Sequence, residues 1–123
     1  MPIVRETDAI LHDAHGSTFA AFVAPSLGSS QLCAWSLTVP ANLPGVPHRP
    51  NREEVLLVLA GELTLTLDGV QSMLRAGDVA VFPAGGEVCV DSGPAGASAW
   101  VTTTPGLEAV LPDGSRLSPP WAR

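Results

Sequence analysis

The stretch Gly45–Glu62, GVPHRPNREEVLLVLAGE, decides how this chain is read. His48 stands six residues before Glu54, and a strand-like apolar run, Val55 to Leu59, follows directly. Imidazole and carboxylate are ordinary ligands of divalent transition metals, so the pair has the look of half a metal site. Two positions past His48, where a second imidazole would serve, stands Pro50. The stretch is a metal centre, a converted pocket, or only the start of a strand.

The neighbouring sequence is strand-like on both sides. Gln31 to Val39 alternates, with Cys33, Trp35, Leu37 and Val39 on one face. A loop follows, punctuated by Pro40, Pro44 and Pro47. Val55 to Leu59 is apolar at every position, the pattern of a strand buried on both faces. Ala60-Gly61 breaks or bends it. Leu63 to Leu67 alternates again and ends at Asp68-Gly69, a two-residue hairpin signal. Val70 to Leu74 is the return strand, and Arg75 to Asp78 a turn. Val79 to Pro83 reads as a second buried strand, Glu87 to Asp91 as another, Ser92 to Gly96 as a loop and Ala97 to Thr104 as the last strand. No segment has a useful helical period; the best candidate, Thr18 to Ala24, is short and rich in β-compatible residues.

Short strands joined by Gly/Pro turns predict an all-β sandwich or barrel. One domain over residues 1–123 is expected, with a barrel core at about 30–104 and two arms packing on it. The N-terminal arm carries His12 and His15. The C-terminal arm offers Trp121 as an anchor.

Composition narrows the function. The chain has 123 residues, 46% hydrophobic and 15% charged, enough for one real core. Its net charge is −6, and its six basic residues are all arginines scattered along the chain. That argues against nucleic acid or an anionic membrane as partner, because phosphate binding draws on clustered Lys and Arg. With no lysine there is no Schiff-base chemistry. No run approaches a membrane span of roughly 18 apolar residues, and the N-terminus lacks a basic–apolar leader pattern. Cys33 and Cys89 read as buried thiols rather than a disulfide framework, so a cytoplasmic location is expected.

The motif spacing resembles that of the cupin superfamily. Its first motif has the form G-x5-H-x-H-x3,4-E-x6-G; here His48, Glu54 and Gly61 keep their places, Pro50 occupies the second histidine slot and Gly45 is out of register. Its second motif, G-x5-P-x-G-x2-H-x3-N, is matched by Gly77, Pro83 and Gly85, whereas Val88 holds the histidine slot and Ser92 the asparagine slot. The resemblance implies a small double-stranded β-helix of the jelly-roll group, commonly a homodimer, with a degenerate metal site.

In such a barrel three histidines and a glutamate hold the metal. Only His48 and Glu54 remain, and two protein ligands seldom hold a transition metal. No cofactor is therefore expected; a divalent transition metal, if present, would be held by His48 and Glu54. Strand parity points Glu54, Leu56, Val58, Val88 and Val90 into the barrel, with Trp35 as a further lining residue. A mostly apolar pocket with a histidine and a carboxylate suits a small apolar or aromatic molecule, and the pair could exchange protons with it. Plainer roles stand beside these: His48 as a loop histidine bonded to a carbonyl, Glu54 in a surface ion pair with Arg49 or Arg52, Trp35 and Trp100 as core.

Three functions follow. The first is a metal-independent small-molecule barrel, either an isomerase- or cyclase-type enzyme using His48 and Glu54 or a pure binding domain. The second is a metal-dependent dioxygenase or isomerase with altered ligands. The third is a filled, non-catalytic dimerisation module.

Overall fold

The computed structural model describes residues 2–123 and is built almost wholly of strands. They are β1 (Ile10–Ala14), β2 (Ser17–Val23), β3 (Cys33–Val39), β4 (Arg49–Pro50), β5 (Glu54–Leu67), β6 (Val70–Arg75), β7 (Val79–Phe82), β8 (Val88–Thr103), β9 (Ala109–Val110) and β10 (Arg116–Leu117). Seven form one antiparallel sheet in the order β1-β2-β3-β8-β5-β6, with β7 also paired to β5. β10, β9 and β4 form a small second sheet. The sheet curls around a single core that holds Trp35, Leu56, Val58, Leu63, Val88 and Val101. This is the all-β, double-stranded β-helix expected.

Two runs separated in the sequence reading are single long strands. VLLVL and LTLTL are both part of β5, which carries irregularities between Val58 and Ala60 and between Gly61 and Leu63. A bulge adds a residue and so changes which parity faces inward. Before the bend Glu54, Leu56 and Val58 are buried; after it Leu63 and Leu65 are. Both apolar runs thereby reach the same core. Gly61 sits at the bend with φ +75°, and a Cβ there would collide with the Gly96 carbonyl. β8 likewise runs through SGPAG, which was expected to be a loop. Residues 93–96 are the extra length at the matching bend, since Leu63 pairs with Ser92 while Gly61 pairs with Ala97.

The chain ends are more ordered than the sequence pattern suggests. Thr18 to Ala24, the best helical candidate, lies mainly in β2, which pairs with β3. β1 and β2 form a hairpin through His15 and Gly16, both at positive φ. The C-terminal arm ends in a 3-10 turn, Pro120–Ala122, whose Trp121 and Ala122 are buried. Cys33 Sγ donates to the Ala122 carbonyl at 3.4 Å, so the anchor expected of Trp121 is present.

Other expectations are corrected. Val55 to Leu59 and Val79 to Val81 are not buried on both sides. Val55, Leu59, Val79 and Val81 face outward and are exposed, Leu59 at 52%. Apolar composition alone does not tell a strand covered by its own chain from one left open. Cys89 is half-buried rather than buried; both cysteines are free thiols. Trp100 is half-buried on the outer surface, its ring 5.4 Å from that of Phe22, and not part of the central core. Among the described residues no helix is long and apolar enough to cross a membrane.

Candidate functional site

The barrel is not filled. A cavity of about 150 Å3 lies inside it, lined by residues of β2, β3, β5, β7 and β8 and by both arms. This observation removes the filled-barrel reading. Trp35, Leu56, Val88 and Val90 line it, as do His48 and Glu54. Val58 is the exception: it is 1% exposed but lies away from the cavity. Its backbone pairs with Ala99 beside the β5 bend. Inward parity thus puts a side chain in the core, but depth along the strand decides whether it reaches the open space.

Glu54 is the most buried charged side chain, at 6% exposure, on the first residue of β5 opposite Phe82 of β7. Neither Arg49 nor Arg52 pairs with it. Arg49 turns to Glu87 and Asp68, and Arg52 Nε donates to the Pro105 carbonyl at 3.3 Å. Removal from water with no compensating cation disfavours the ionised form, and burial pushes the Glu54 carboxyl up to about 7.

His48 is held by its backbone and by its ring. Its N–H and C=O exchange hydrogen bonds of 2.9 and 2.8 Å with Val88 in an isolated bridge. Its Nδ1 donates to the Val46 carbonyl at 2.9 Å. A carbonyl only accepts, so Nδ1 carries the proton and, in the neutral ring, Nε2 is bare and can accept. The plain role foreseen for this residue, a bond to a backbone carbonyl, is therefore real. It orients the ring at the cavity wall.

The bridge also explains why the metal motif fails as a ligand set. It puts the two histidine slots of the two motifs directly opposite one another, and the second is Val88, fully buried. Pro50 is buried too, but on β4, paired with Ala109 of β9 and not lining the cavity. Among the described residues no group of three His, Cys, Asp or Glu side chains is placed to hold a metal ion. His15, from the β1–β2 turn, does line the cavity together with His48 and Glu54, without completing such a group. His12 does not line it; its ring lies 6.2 Å from Trp121. The donor set does not fit a resident metal.

The rim contains residues that sequence patterning missed. Ser92, in the asparagine slot, accepts from the Leu43 N–H at 2.8 Å and donates to the Pro40 carbonyl. Asp91 accepts from the Gly45 N–H at 2.7 Å. These bonds pin the proline-rich loop against β8 and bring Leu43, Gly45 and Val46 to the cavity. Gly45 can approach this closely only because it lacks a Cβ, which would collide with the Val90 carbonyl. Another part of the lining is aromatic: Trp121 stacks on Phe19 and meets Trp35 edge-on. Only the prolines and the lone Trp121 hinted at these walls; their partners are distant in sequence.

Comparison with known proteins agrees with this architecture. Residues 36–91 match the family model described as a cupin domain. An RmlC-like cupin from Shewanella frigidimarina superposes with a TM-score of 0.72 at 21% identity, over 83% of this chain and 88% of that one. The polyketide cyclase RemF from Streptomyces resistomycificus gives 0.75 at 20% identity, over 87% and 83%. A variant of Bacillus subtilis oxalate decarboxylase gives 0.72 at 15%, covering 80% of this chain but 28% of that much longer one. No curated protein matches the sequence significantly. The chain thus matches a cupin domain over residues 36–91 and has the cupin fold, a single antiparallel barrel around an apolar cavity.

Proposed function

We propose that this cupin-fold barrel binds a small, largely apolar molecule without a metal, and that His48 and Glu54 act on its polar group by proton transfer of the isomerase or cyclase type. One observation carries the reading: an unpaired carboxyl, raised to about 7, shares an apolar cavity with a histidine whose Nε2 is bare. Near neutral pH such a carboxyl exists in both forms and can give or take a proton, while the imidazole complements it. The similarity to a polyketide cyclase supports the fold's compatibility with such chemistry and goes no further. The test is a panel of small cyclic molecules screened by thermal shift and turnover against wild type, His48→Ala and Glu54→Gln. Retained turnover and binding in both variants, with the domain folded, would sink the proposal.

We further propose that the chain works as a homodimer through the outer face of β5 and β7. Val55 and Val81 are cross-strand partners there, and Leu57 pairs with Val79. With Leu59 they form a contiguous apolar stripe on the face opposite Glu54 and Leu56. An exposed apolar patch of this kind favours association. Free Cys33 and Cys89 support a reducing, cytoplasmic setting for the protein.

A further inference from the structure

One polar group on the cavity wall has nothing to bind. Glu54 is 6% exposed and lines the cavity, and its carboxyl has no hydrogen bond or ion pair among the described residues. Its two oxygens are nevertheless not closed off. Among the described residues Trp35 Nε1 is the one buried side-chain nitrogen or oxygen that lacks both a partner and accessible surface. The Glu54 oxygens, also without a partner, therefore keep open surface, and the space they meet is the cavity. Resting on the small-molecule reading above, we infer that the ligand is a neutral single ring with a lactam edge, whose adjacent N–H and C=O pair with the two Glu54 oxygens.

The protonation state of Glu54 sets the pattern of donors and acceptors. A carboxyl taken out of water without a cation favours its neutral form. No arginine lines the cavity, the chain has no lysine, and burial pushes the carboxyl up to about 7. A neutral carboxyl offers one O–H donor and one C=O acceptor side by side. A lactam offers the reverse, an acceptor and a donor on adjacent atoms. Two parallel hydrogen bonds then form, and no polar atom of either partner is left bare.

Size and charge set aside the neighbouring classes. An apolar cavity of about 150 Å3 is the size of one known to hold benzene, so one ring fits. Phe19, Trp35 and Trp121 line it and give a flat ring aromatic contacts. A carboxylate ligand would face Glu54 without a fixed cation, a costly arrangement. An ammonium would force Glu54 to ionise in apolar surroundings, and burying such a pair often costs more than it returns. A ketone accepts the O–H and leaves the second Glu54 oxygen bare. A single hydroxyl meets both oxygens only through bent, weak bonds.

The test titrates the full chain calorimetrically with 2-pyridone, a flat lactam, and with 4-pyridone, N-methyl-2-pyridone, phenol, benzoate and benzylamine. The 4-isomer carries its donor and acceptor at opposite ends of the same ring, and the N-methyl compound lacks the donor. Below about pH 7, 2-pyridone is expected to bind roughly tenfold more tightly than each of the others, about the factor for one hydrogen bond to a buried group. Its affinity should fall as pH rises through about 7, because it binds the protonated carboxyl. Glu54→Leu should remove the preference. Glu54→Gln should keep it and lose the pH dependence, because a carboxamide carries the same donor and acceptor at every pH. The Gln variant and the wild-type pH profile give the answer if Glu54→Leu does not fold. Equal or tighter binding of any other compound, a preference that survives Glu54→Leu, or a pH dependence that persists in Glu54→Gln and so belongs to His15 or His48 on the same lining would overturn the lactam assignment while leaving a small-molecule barrel in place. Binding of none of the compounds would overturn both.

Discussion

The ring of Trp121 lies flat against that of Phe19, centroids 3.8 Å apart and planes 11° from parallel. Phe19 comes from β2 and Trp121 from the C-terminal 3-10 turn, and both line the cavity. The two ends of the chain thus meet to finish one wall of the barrel. Cys33, bonded to the Ala122 carbonyl, and Ser26, bonded to the Arg123 carbonyl, hold the arm in place.

Trp121→Ala should therefore cost more than an arm residue ordinarily would. Removing a buried aromatic side chain typically costs about 3–5 kcal/mol. Urea denaturation should give a loss of that size, with weaker ligand binding at temperatures where the variant remains folded. A loss under about 1 kcal/mol would mean that the arm does not complete the barrel.

Glu54 sets a pH dependence of stability. Its folded pKa of about 7 lies above the ordinary 4.5. The folded state holds its proton more tightly than the unfolded chain, so stability is fullest below about 4.5 and declines as pH rises through about 7. The span corresponds to about 3 kcal/mol. Glu54→Gln should flatten the difference between chemical-denaturation curves taken at pH 4.5 and pH 8, and should be the more stable protein at pH 8. A wild type that gains stability over that window relative to Glu54→Gln would reverse the sign and refute the burial argument.

Metal should have little effect on this barrel. Val88 opposite His48 and Pro50 away from the cavity leave two of the expected four ligands. Protein purified without a histidine tag should contain well under one equivalent of iron, manganese, nickel, copper or zinc by mass spectrometry. Added metal ions should leave the melting temperature unchanged. A stoichiometric metal that resists dialysis would show that some other ligand set is assembled in solution.

The outer face of β5 and β7 predicts association. Leu59 and Val81 are 52% and 54% exposed on one surface. Val81→Lys or Leu59→Lys should convert a dimer to a monomer in light scattering while leaving the circular dichroism spectrum unchanged. A wild type that is monomeric at every concentration up to the millimolar range would remove the proposal.

Much of the fold was legible in the sequence because β patterning is local. The alternation of Cys33, Trp35, Leu37 and Val39 survives as the buried face of β3. The Asp68-Gly69 turn joins β5 and β6, Asp68 taking a positive φ of 47°. Glu54 and Gly61 kept the motif's spacing, which identified the scaffold. β1 and β2 were missed because His12, Asp13 and Ser17 interrupt the apolar signal, and pairing with β3 decides their structure.

The candidate site was only partly legible. Inward parity brought out Glu54, Leu56, Val88 and Val90, and motif spacing brought out His48. It could not separate Val58, which stops short of the cavity, or find Leu43, Val46 and Phe19, which reach it from other elements.

By itself, then, the sequence determined an all-β barrel with one histidine and one glutamate where a metal set would stand, because period-two alternation and motif spacing are properties of neighbouring residues. Tertiary structure alone decided that Glu54 goes unpaired, that His48 faces Val88, and that Trp121 closes a wall with Phe19. Those relationships join residues far apart in the chain. They depend on where the bends of β5 and β8 place each side chain, which no local pattern records.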